Sequence, residues 1–336
     1  MYSVGLDVHQ RRSSLEILDP NGKRVNRLEV RGPWPKLIEQ VGRLPRPFSI
    51  CFEASCGYGH LYEQLARHAE HVAVAHPAQL RLIFRSKRKS DRVDAAKLAK
   101  LLYLGEVPQV HVPDKDVRQW RASIEWRQAL LGRRVRAKNQ LRAMLRTHGL
   151  AASAPKSLWS KKGLAWLAEQ PLEEFEQLRR EMLLDELAEV NRKLALVERH
   201  LAKVAARHPG VALLRTIPGV GIRTAEAFVA YVDDVRRFAR VGQVGAYFGL
   251  VPCQDSSADV RRLGHITKDG PATVRKLLCE AAWQAVRRSP SLRARFERIA
   301  GGKPDRRKVA LVAVAHHLCR AMAAMLRSGA CWSERT

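Results

Sequence analysis

The chain has 336 residues, enough for two or three domains with cores of their own. It carries 60 Lys and Arg residues against 33 Asp and Glu, and the resulting net charge of +27 indicates a nucleic-acid partner held through phosphate contacts. No apolar run approaches the roughly 20 residues of a membrane-spanning helix and no signal peptide opens the chain, so we expect a cytoplasmic protein without a membrane partner. The six cysteines show no C-x-x-C spacing, which favours reduced structural thiols over a zinc site or a disulfide framework.

Strands and helices alternate in the first hundred residues. Strands at 2–8, 13–18 and 24–30 are predicted to form a meander, and the Asn21-Gly22 turn tolerates positive φ at both central positions. A meander followed by alternating helix and strand is typical of a ribonuclease H-like fold. The later elements are predicted as a helix at 35–42, a strand at 48–52, a helix at 60–68 and a strand at 71–75.

Two carboxylates in this region stand where an apolar residue would be expected. Asp7 interrupts an apolar strand between Leu6 and Val8, and Glu53 directly follows another apolar strand. Such a carboxylate needs a cation or a hydrogen-bond partner, and the carboxyl ends of strands in open α/β sheets are where sites form. The alternatives are an exposed strand face for Asp7, with His9 nearby, and a helix N-terminal cap for Glu53.

The segment after the fifth strand joins a basic run to the start of a helix. Ser90 can cap that helix, and Asp91 and Asp94 project from one face of its first turn. Two like charges held close together are costly unless a cation lies between them, and carboxylate oxygens suit Mg²⁺ or Mn²⁺. The alternative is a solvated turn in which Asp94 pairs with a Lys or Arg. The basic run, a candidate nucleic-acid contact, consists of Lys87, Arg88 and Lys89.

The four acids together indicate a metal site. Asp7, Glu53, Asp91 and Asp94 form an acidic quartet in a region that otherwise collects positive charge. Such a quartet can hold a pair of Mg²⁺ ions, which would clamp the attacking and leaving oxygens of a phosphodiester.

Two long helices are predicted in the middle of the chain. The helix at 117–145 carries many cations and almost no acids, so a phosphate backbone is the expected counter-charge, with Arg133 and Arg134 as candidate contacts. The alternative is a solvated amphipathic helix whose tryptophans lie in the core. A second helix at 172–208 has a heptad seam, which fits a dimerisation coiled coil, our preference, or an intramolecular hairpin packed on the first helix. The seam consists of Leu183, Leu187, Val190, Leu194, Val197, Leu201 and Val204.

A glycine-rich turn between two apolar segments opens the last third. Residues 213–225 have the form of a helix–hairpin–helix motif, in which Gly219 and Gly221 would let backbone N–H groups approach a phosphate. A plain tight turn between helices would use the same residues. The following Asp233-Asp234 pair is interpreted as a helix terminus and not as a second metal site. Helices are predicted at 271–288 and 307–327.

A pair of serines lies between these helical segments. Ser256 and Ser257 are predicted to lie in a loop next to Arg261, Arg262 and Lys268. Hydroxyls presented beside Arg and Lys commonly contact phosphates. They could also present a nucleophile to a phosphodiester, with the cations stabilising the developing charge, although contact is the commoner role.

Several of these segments carry a resemblance to a known family. Residues 5–9, 52–57 and 90–95 contain the four acids and resemble the Asp-Glu-Asp-Asp signature of the insertion-sequence one-ten family of transposases. The N-terminal domain of that family resembles the Holliday-junction resolvase RuvC. One departure is Cys56, which precedes the glycine of the second segment.

The block at 247–270 resembles the C-terminal transposase domain of the same family. The resemblance implies that Ser256, or alternatively Ser257, attacks DNA and forms a phosphoserine link. The departure here is Ala258-Asp259, where the family pattern has a glycine.

The resemblance also implies a guide RNA, called a bridge RNA, and a homo-oligomer of two or four chains in a bacterial cytoplasm, at the nucleoid. Composition alone does not separate RNA from DNA as the partner. The predicted fold class is α/β plus α. It comprises a RuvC-like domain at 1–110, a basic-helix and coiled-coil region at 111–208 and a mostly helical transposase domain with a helix–hairpin–helix motif at 209–330.

The expected function is Mg²⁺-dependent cleavage and exchange of DNA strands by a transposase. The four acids would hold the metal, and the serine would come from the C-terminal domain. The alternatives are a metal-dependent junction nuclease without a covalent step and a non-catalytic nucleic-acid-binding protein.

Overall fold

The computed structural model of the protein describes residues 1–83, 91–257 and 260–334. The chain divides into two compact units, Met1–Arg118 and Gln119–Thr336. The first is a mixed α/β unit and the second is mostly helical, as the sequence predicts. Ser90, the predicted helix cap, and the basic run at 87–89 lie outside the described residues. The division into three domains stays a prediction.

A five-stranded mixed sheet forms the centre of the first unit. Its strands are β1 (Tyr2–Val8), β2 (Arg12–Leu18), β3 (Arg24–Arg31), β4 (Phe48–Glu53) and β5 (His71–Ala75). They lie in the order β3-β2-β1-β4-β5. The first three strands pair antiparallel, whereas β4 is parallel to β1 and β5 is parallel to β4. The bounds of all five strands agree with the prediction to within one residue.

The turn between β2 and β3 lies where the sequence predicts it, but of its two central residues Gly22 alone has a positive φ. Gly22 has φ +75°, a value that a residue with a side chain rarely adopts. One carboxylate oxygen of Asp19 accepts hydrogen bonds from the N–H groups of Asn21 at 2.8 Å and Lys23 at 2.9 Å. The turn is therefore held by an Asp side chain as well as by its glycine.

Helices cover both faces of this sheet. They are α1 (Trp34–Gly42), α2 (Tyr58–Leu65), α3 (Pro77–Ile83) and α4 (Asp91–Leu104), of which α3 was not predicted. Because side chains alternate along a strand, neighbouring strand residues enter different cores. Leu37 of α1 and Leu61 of α2 share a core with Leu6, whereas Leu98 of α4 shares a second core with Cys51.

Helix α4 crosses β1 at Gly5. A Cβ atom at Gly5 would lie 2.9 Å from the Cα of Ala99, and closer still to the backbone N of Ala99 and the backbone O of Ala95. Since these nearest atoms belong to the backbone of α4, only a glycine permits so close an approach. This contact positions the first turns of α4 beside β1.

The second unit consists of helices and one hairpin. The helices begin with α5, which starts in the last residues of the first unit, and they confirm the four predicted at 117–145, 172–208, 271–288 and 307–327. Helices α6, α10 and α12 were not predicted. The elements are α5 (Lys115–Thr147), α6 (Lys161–Glu169), α7 (Glu174–Ala206), α8 (Pro209–Leu214), α9 (Ile222–Val232), α10 (Gly242–Tyr247), β6 (Pro252–Ser257), β7 (Val260–Ile266), α11 (Ala272–Arg288), α12 (Pro290–Ala300) and α13 (Arg307–Ser328).

The heptad seam of α7 is buried within the chain. Val190 and Leu194 form a core with Leu130 of α5, and Leu187 lies in a second core with Leu141 of α5. Our preference for a dimerisation coiled coil built on this seam is therefore corrected. The seam forms the intramolecular hairpin, because its apolar partner is α5 of the same chain.

The segment Pro304–Ser328 corrects a second expectation. It is long and apolar enough to cross a membrane, since its best 18-residue stretch has a mean hydropathy of 1.7. Half of that stretch is buried inside the fold, and Leu318 and Met322 of α13 lie in the main core of the second unit. A core helix passes the same test of length and composition, so the core position accounts for the apolar run.

The two aspartates after α9 lie at helix termini, as interpreted from the sequence. Asp233 is the C-terminal cap of α9, with φ +58°. Asp234 caps the short 3₁₀ helix that follows, and its side chain accepts a hydrogen bond from the N–H of Arg236 at 2.8 Å.

Candidate active site and nucleic-acid-binding residues

Asp7 lies near the carboxyl end of β1, the central strand of the sheet, with 20% of its side chain exposed. Burial raises the pKa of the Asp7 carboxyl above its ordinary value of 3.8. His9 lowers this pKa, whereas the negative charges of Asp91, Asp94 and Glu53 raise it further. The fold therefore brings all four predicted acids into one electrostatic environment.

Two different elements deliver the other three acids. Glu53 is the last residue of β4, which runs parallel to β1, so both strands end at the same edge of the sheet. Asp91 and Asp94 belong to the first turn of α4, which the contact at Gly5 holds beside β1. The side chain of Glu53 is exposed, and those of the two aspartates are half-buried.

His9 belongs to the same group, although no role was predicted for it from the sequence. Its Nε2 lies 3.5 Å from Oδ2 of Asp7 and 3.7 Å from Oδ1 of Asp91. One ligand atom from each of these residues lies within 4.8 Å of the other two, a spacing that could hold a metal ion. The signal in the sequence was the alternation of the strand, because residues two apart share a face.

Positive side chains pair with the two aspartates of α4. Nζ of Lys97 donates to Oδ1 of Asp94 at 3.2 Å, and Nε of Arg12 lies 3.9 Å from Oδ2 of Asp91. The pairing of Asp94 with a lysine is one alternative left open by the sequence, and it is present. The donor set of carboxylates and one imidazole nonetheless fits a divalent cation such as Mg²⁺ or Mn²⁺.

The predicted serine loop is a hairpin. Ser256 and Ser257 are the last two residues of β6, which pairs antiparallel with β7. The register sets Ser256 opposite Arg261 and Asp255 opposite Arg262. Polar residues without apolar alternation gave no strand signal, which explains the wrong prediction of a loop. The backbone pairing does bring the predicted serines and arginines together.

Lys268 follows this hairpin in a tightly fixed loop. It has φ +59°, and its N–H donates to the carbonyl oxygen of Gly249 at 3.2 Å. A Cβ at Gly249 would lie 2.7 Å from the carbonyl carbon of Lys268, so the two loops touch backbone to backbone. The exposed Lys268 therefore has a fixed backbone position two residues after β7.

The two glycines between α8 and α9 have different surroundings. Gly219 has φ +93°, and a Cβ there would lie 2.8 Å from the Cα of Ala285 in α11. Its missing side chain therefore serves the packing against α11. Gly221 precedes α9 as its N-terminal cap, and no atom lies within 4 Å of a Cβ built there. The space on the Cβ side of Gly221 is therefore open, whereas that of Gly219 is filled by α11, and the phosphate contact predicted for both glycines stays a prediction.

A ridge of cations runs along α5. Arg134, Lys138 and Arg142, the α5 ridge, are spaced by four residues and so share one helix face. Nζ of Lys138 lies 4.7 Å and Cζ of Arg142 lies 5.3 Å from the centre of the Trp159 ring. Partial burial lowers the pKa of Lys138, and the positive charges of Arg134 and Arg142 lower it further. No described acid pairs with the ridge or with Arg133, which lies over Trp126.

Two family models match the chain, one mostly in the first unit and the other within the second. The DEDD transposase model of the IS110 group, described as a transposase, matches residues 4–149. The model described as the transposase IS116/IS110/IS902 family matches residues 211–297. Together the two matched regions make up about two thirds of the chain.

Individual relatives are transposases too. The putative transposase y4qE of Sinorhizobium fredii is 29% identical, over 83% of this chain and 70% of its own length. The transposase for insertion sequence element IS1111A of Coxiella burnetii is 28% identical, over 69% of this chain and 64% of its own length. The probable family 20 transposase of Pseudomonas aeruginosa is 27% identical over 98% of both chains.

The class of protein is defined as the transposases of insertion sequences. The evidence is an α/β unit with clustered acids, a basic helical unit and these matches. The chain belongs to the IS116/IS110/IS902 family of transposases, which confirms the resemblance to the insertion-sequence one-ten family.

Proposed function

We propose that the chain cuts and exchanges DNA strands in a metal-dependent reaction that passes through a phosphoserine intermediate and is guided by a bridge RNA. The observation that carries the metal-dependent part is the gathering of Asp7, His9 and Asp91 within 4.8 Å, close to Glu53 and Asp94. Carboxylates crowded together and partly buried are costly without a cation, and such groups are typical of functional sites.

We also propose that the first unit has a ribonuclease H-like, RuvC-like fold. The supporting feature is the sheet order β3-β2-β1-β4-β5, in which an antiparallel meander is extended by two parallel strands. The acids at the ends of β1 and β4 then lie where sites form in open α/β sheets.

Asp7 and Asp91 are the proposed central metal ligands, with Glu53 and Asp94 as the second pair. When bound, Mg²⁺ or Mn²⁺ supplies charge stabilisation for the attacking and leaving oxygens of the phosphodiester. The contribution of the chain is to hold four ionised carboxylates in register. Strands β1 and β4 and the close contact of α4 with Gly5 provide that alignment.

Ser256 is the proposed nucleophile, with Ser257 as the alternative. Its Oγ forms a bond to phosphorus while the bond from phosphorus to one deoxyribose oxygen breaks. The hydroxyl proton passes, directly or through water, to the departing oxygen. A DNA hydroxyl can later displace the serine without an outside energy source, because the ester retains the bond energy. Arg261 and Lys268 are the proposed contacts to the phosphate oxygens.

The proposed partners are DNA and a guide RNA. The α5 ridge, Arg133, Gly221 and Arg262 are the proposed phosphate contacts, and the basic run at 87–89 stays a prediction. The net charge of +27 supports phosphate-dominated binding. Partners of this kind imply action on the chromosome, in the cytoplasm.

Self-association into a dimer or tetramer is proposed on a surface other than the heptad seam. Phe175, Leu178 and Met182 are exposed near the start of α7, and their spacing puts them on one helix face. Light scattering on the Leu178→Glu, Met182→Glu variant tests this surface. An unchanged mass would refute it.

A covalent-adduct assay tests the proposed function. The protein is purified with any RNA it retains, mixed with Mg²⁺ and labelled DNA from the ends of the element, denatured and run on a gel. The variants are Ser256→Ala, Ser257→Ala and Asp7→Asn. The matched controls are Ser153→Ala and Asp305→Asn, which change a serine and an acid outside the proposed sites.

We expect a denaturation-resistant protein–DNA band that is lost in Asp7→Asn and in one serine variant, while both controls retain it. Cleavage without any such band would replace the covalent step by water attack, as in a junction nuclease. Metal-independent binding without cleavage, with a matching RNA and target supplied, would overturn the catalytic proposal.

A further inference from the structure

The second unit contains a large cavity outside the regions assigned above. It lies between α12 and α13, and residues 330–333 after α13 also line it. Its volume is about 1150 Å³. Pockets that hold one drug-sized ligand have volumes of about 300–1,000 Å³, so this cavity has room for one or two nucleotides but not for a double helix.

Three arginines and no acid line this cavity among the described residues. Arg295 and Arg298 come from α12, and Arg320 comes from α13. None of the three makes a hydrogen bond or an ion pair with another described residue. Guanidinium groups cannot lose their charge in a protein, so three of them around one hollow select an anion with more than one charged group.

The remaining wall is largely apolar. Leu292, Met325 and Val241 contribute aliphatic surface, and Trp332 contributes an aromatic ring. A ligand that fits both parts needs several negative charges and a flat apolar body. A nucleotide has both, because its phosphate suits guanidinium groups and its base can stack on an aromatic ring.

Hydrogen bonds fix the position of the chain end that lines the cavity. The N–H of Trp332 donates to Oγ1 of Thr216 at 3.1 Å, and Oγ of Ser291 donates to a carboxylate oxygen of Glu334 at 2.5 Å. Hydrogen bonds from Ser289 and Ser291 lower the pKa of Glu334. The carboxylate of Glu334 is therefore held by hydroxyls, and it leaves the arginines without a counter-charge.

We propose that this cavity, the arginine pocket, binds unpaired nucleotides of a single-stranded segment of DNA or RNA. The phosphates contact Arg295, Arg298 and Arg320, and a base packs against Trp332. The inference rests on the proposed function, because it takes a nucleic-acid partner as given. It adds a site for unpaired nucleotides that is separate from the serine hairpin and the α5 ridge in sequence.

A thiol at the cavity gives a direct readout. Cys331 lines the cavity and is exposed, and Cys56 is an exposed thiol of the first unit that serves as a reference. The full-length protein is treated with iodoacetamide, with and without pentathymidylate or pentauridylate, and the alkylation of each cysteine is followed by mass spectrometry. We expect either oligonucleotide to slow the alkylation of Cys331 at least several-fold more than that of Cys56.

Charge-neutral variants test the arginines. Binding of fluorescein-labelled pentathymidylate and pentauridylate is measured by anisotropy for Arg295→Gln, Arg298→Gln and Arg320→Gln. The matched control is Arg288→Gln, an exposed arginine of α11 outside the cavity. We expect roughly tenfold weaker binding for each cavity variant, the size of a charge-assisted hydrogen bond. The control should bind as the wild type does.

The outcomes separate the two proposals. Equal binding by the cavity variants and the control, with Cys331 unprotected, would overturn the arginine pocket and leave the proposed function standing. No binding of any oligonucleotide or duplex by the wild type would overturn the nucleic-acid partner itself. Stronger protection by pentauridylate would assign the pocket to RNA, and stronger protection by pentathymidylate would assign it to DNA. The alkylation test uses the wild type, so a misfolded variant does not affect it.

Discussion

The Gly5→Ala substitution puts a methyl group where α4 touches β1. The new Cβ would lie 2.9 Å from the Cα of Ala99. Carbon atoms in contact are about 3.5–4.0 Å apart, so this contact alone requires α4 to move from the sheet by at least about 0.6–1.1 Å, and the backbone O of Ala95 and N of Ala99 lie closer still. The neighbours are backbone atoms, and no side-chain rotation can relieve the contact. Overpacking of this kind costs about 1–3 kcal/mol, which corresponds to roughly 4–12 °C in melting temperature.

The same displacement changes the spacing of the acids. Asp91 and Asp94 move with α4, whereas Asp7 stays on β1. Metal–ligand distances tolerate only about 0.2 Å, so divalent-cation binding should weaken even where the variant is fully folded. A misplacement of about 1 Å can lower a reaction rate about 100-fold, and we expect a loss of this order in covalent-adduct formation.

Three assays measure the loss of stability, the weaker cation binding and the lower adduct formation. They are thermal melting with and without Mg²⁺, calorimetric titration with Mn²⁺ and the adduct assay. The control is Gly132→Ala in α5, where a new Cβ meets no atom within 4 Å. A methyl group there should be neutral or stabilise the protein by about 0.4–1 kcal/mol. If Gly5→Ala melts and binds Mn²⁺ as the wild type does, the argument that Gly5 sets the position of α4 is wrong.

Three further predictions concern the charged groups. The raised pKa of Asp7 means that the folded protein binds this proton more tightly than the unfolded chain, so wild-type stability falls as pH rises from about 3.8 through the folded pKa. Asp7→Asn should lack this fall and melt at a higher temperature than the wild type in EDTA at pH 8; an equal or lower melting temperature would contradict the argument. His9→Ala should weaken Mn²⁺ binding by about tenfold and Mg²⁺ binding less, because Mg²⁺ prefers oxygen ligands, and equal losses in calorimetry would exclude a nitrogen ligand. Lys138→Gln and Arg142→Gln should each reduce the salt dependence of duplex binding by about 0.9 in log–log slope, and an unchanged slope in gel-shift titrations would remove the α5 ridge from the interface.

The sheet could be predicted because its signals are local. The Asn21-Gly22 turn, stabilised by Asp19, fixes where β2 ends and β3 begins. The apolar strands show their length directly in the sequence. The serine hairpin lacked both signals, since Ser256 and Arg261 are polar and their pairing is seen only in the backbone register.

Contacts between distant residues could not be read in the same way. The heptad seam of α7 shows which face is apolar but not its partner, and Leu194 packs against Leu130 of its own chain. Equally, no local pattern places Ala99 on Gly5 or Asp91 beside His9. The sequence could name the four acids by polarity and resemblance, whereas the role of His9 needed the fold.

Because the residue beside Asp7 is a histidine, His9, the acidic group can still bind a cation. A chain with 60 Lys and Arg residues could have placed a guanidinium there, as it places Arg12 near Asp91. A guanidinium keeps its proton and would neutralise the carboxylate permanently, whereas an imidazole can be neutral and can offer a nitrogen to a metal. Asp7 thus keeps its raised pKa in a protein with abundant positive charge. Holding the Asp7 carboxylate ionised and partly buried costs stability, and a bound cation would remove that cost. Asp7→Asn and Mg²⁺ should therefore both stabilise the fold. Their effects should not add, because both remove the same cost.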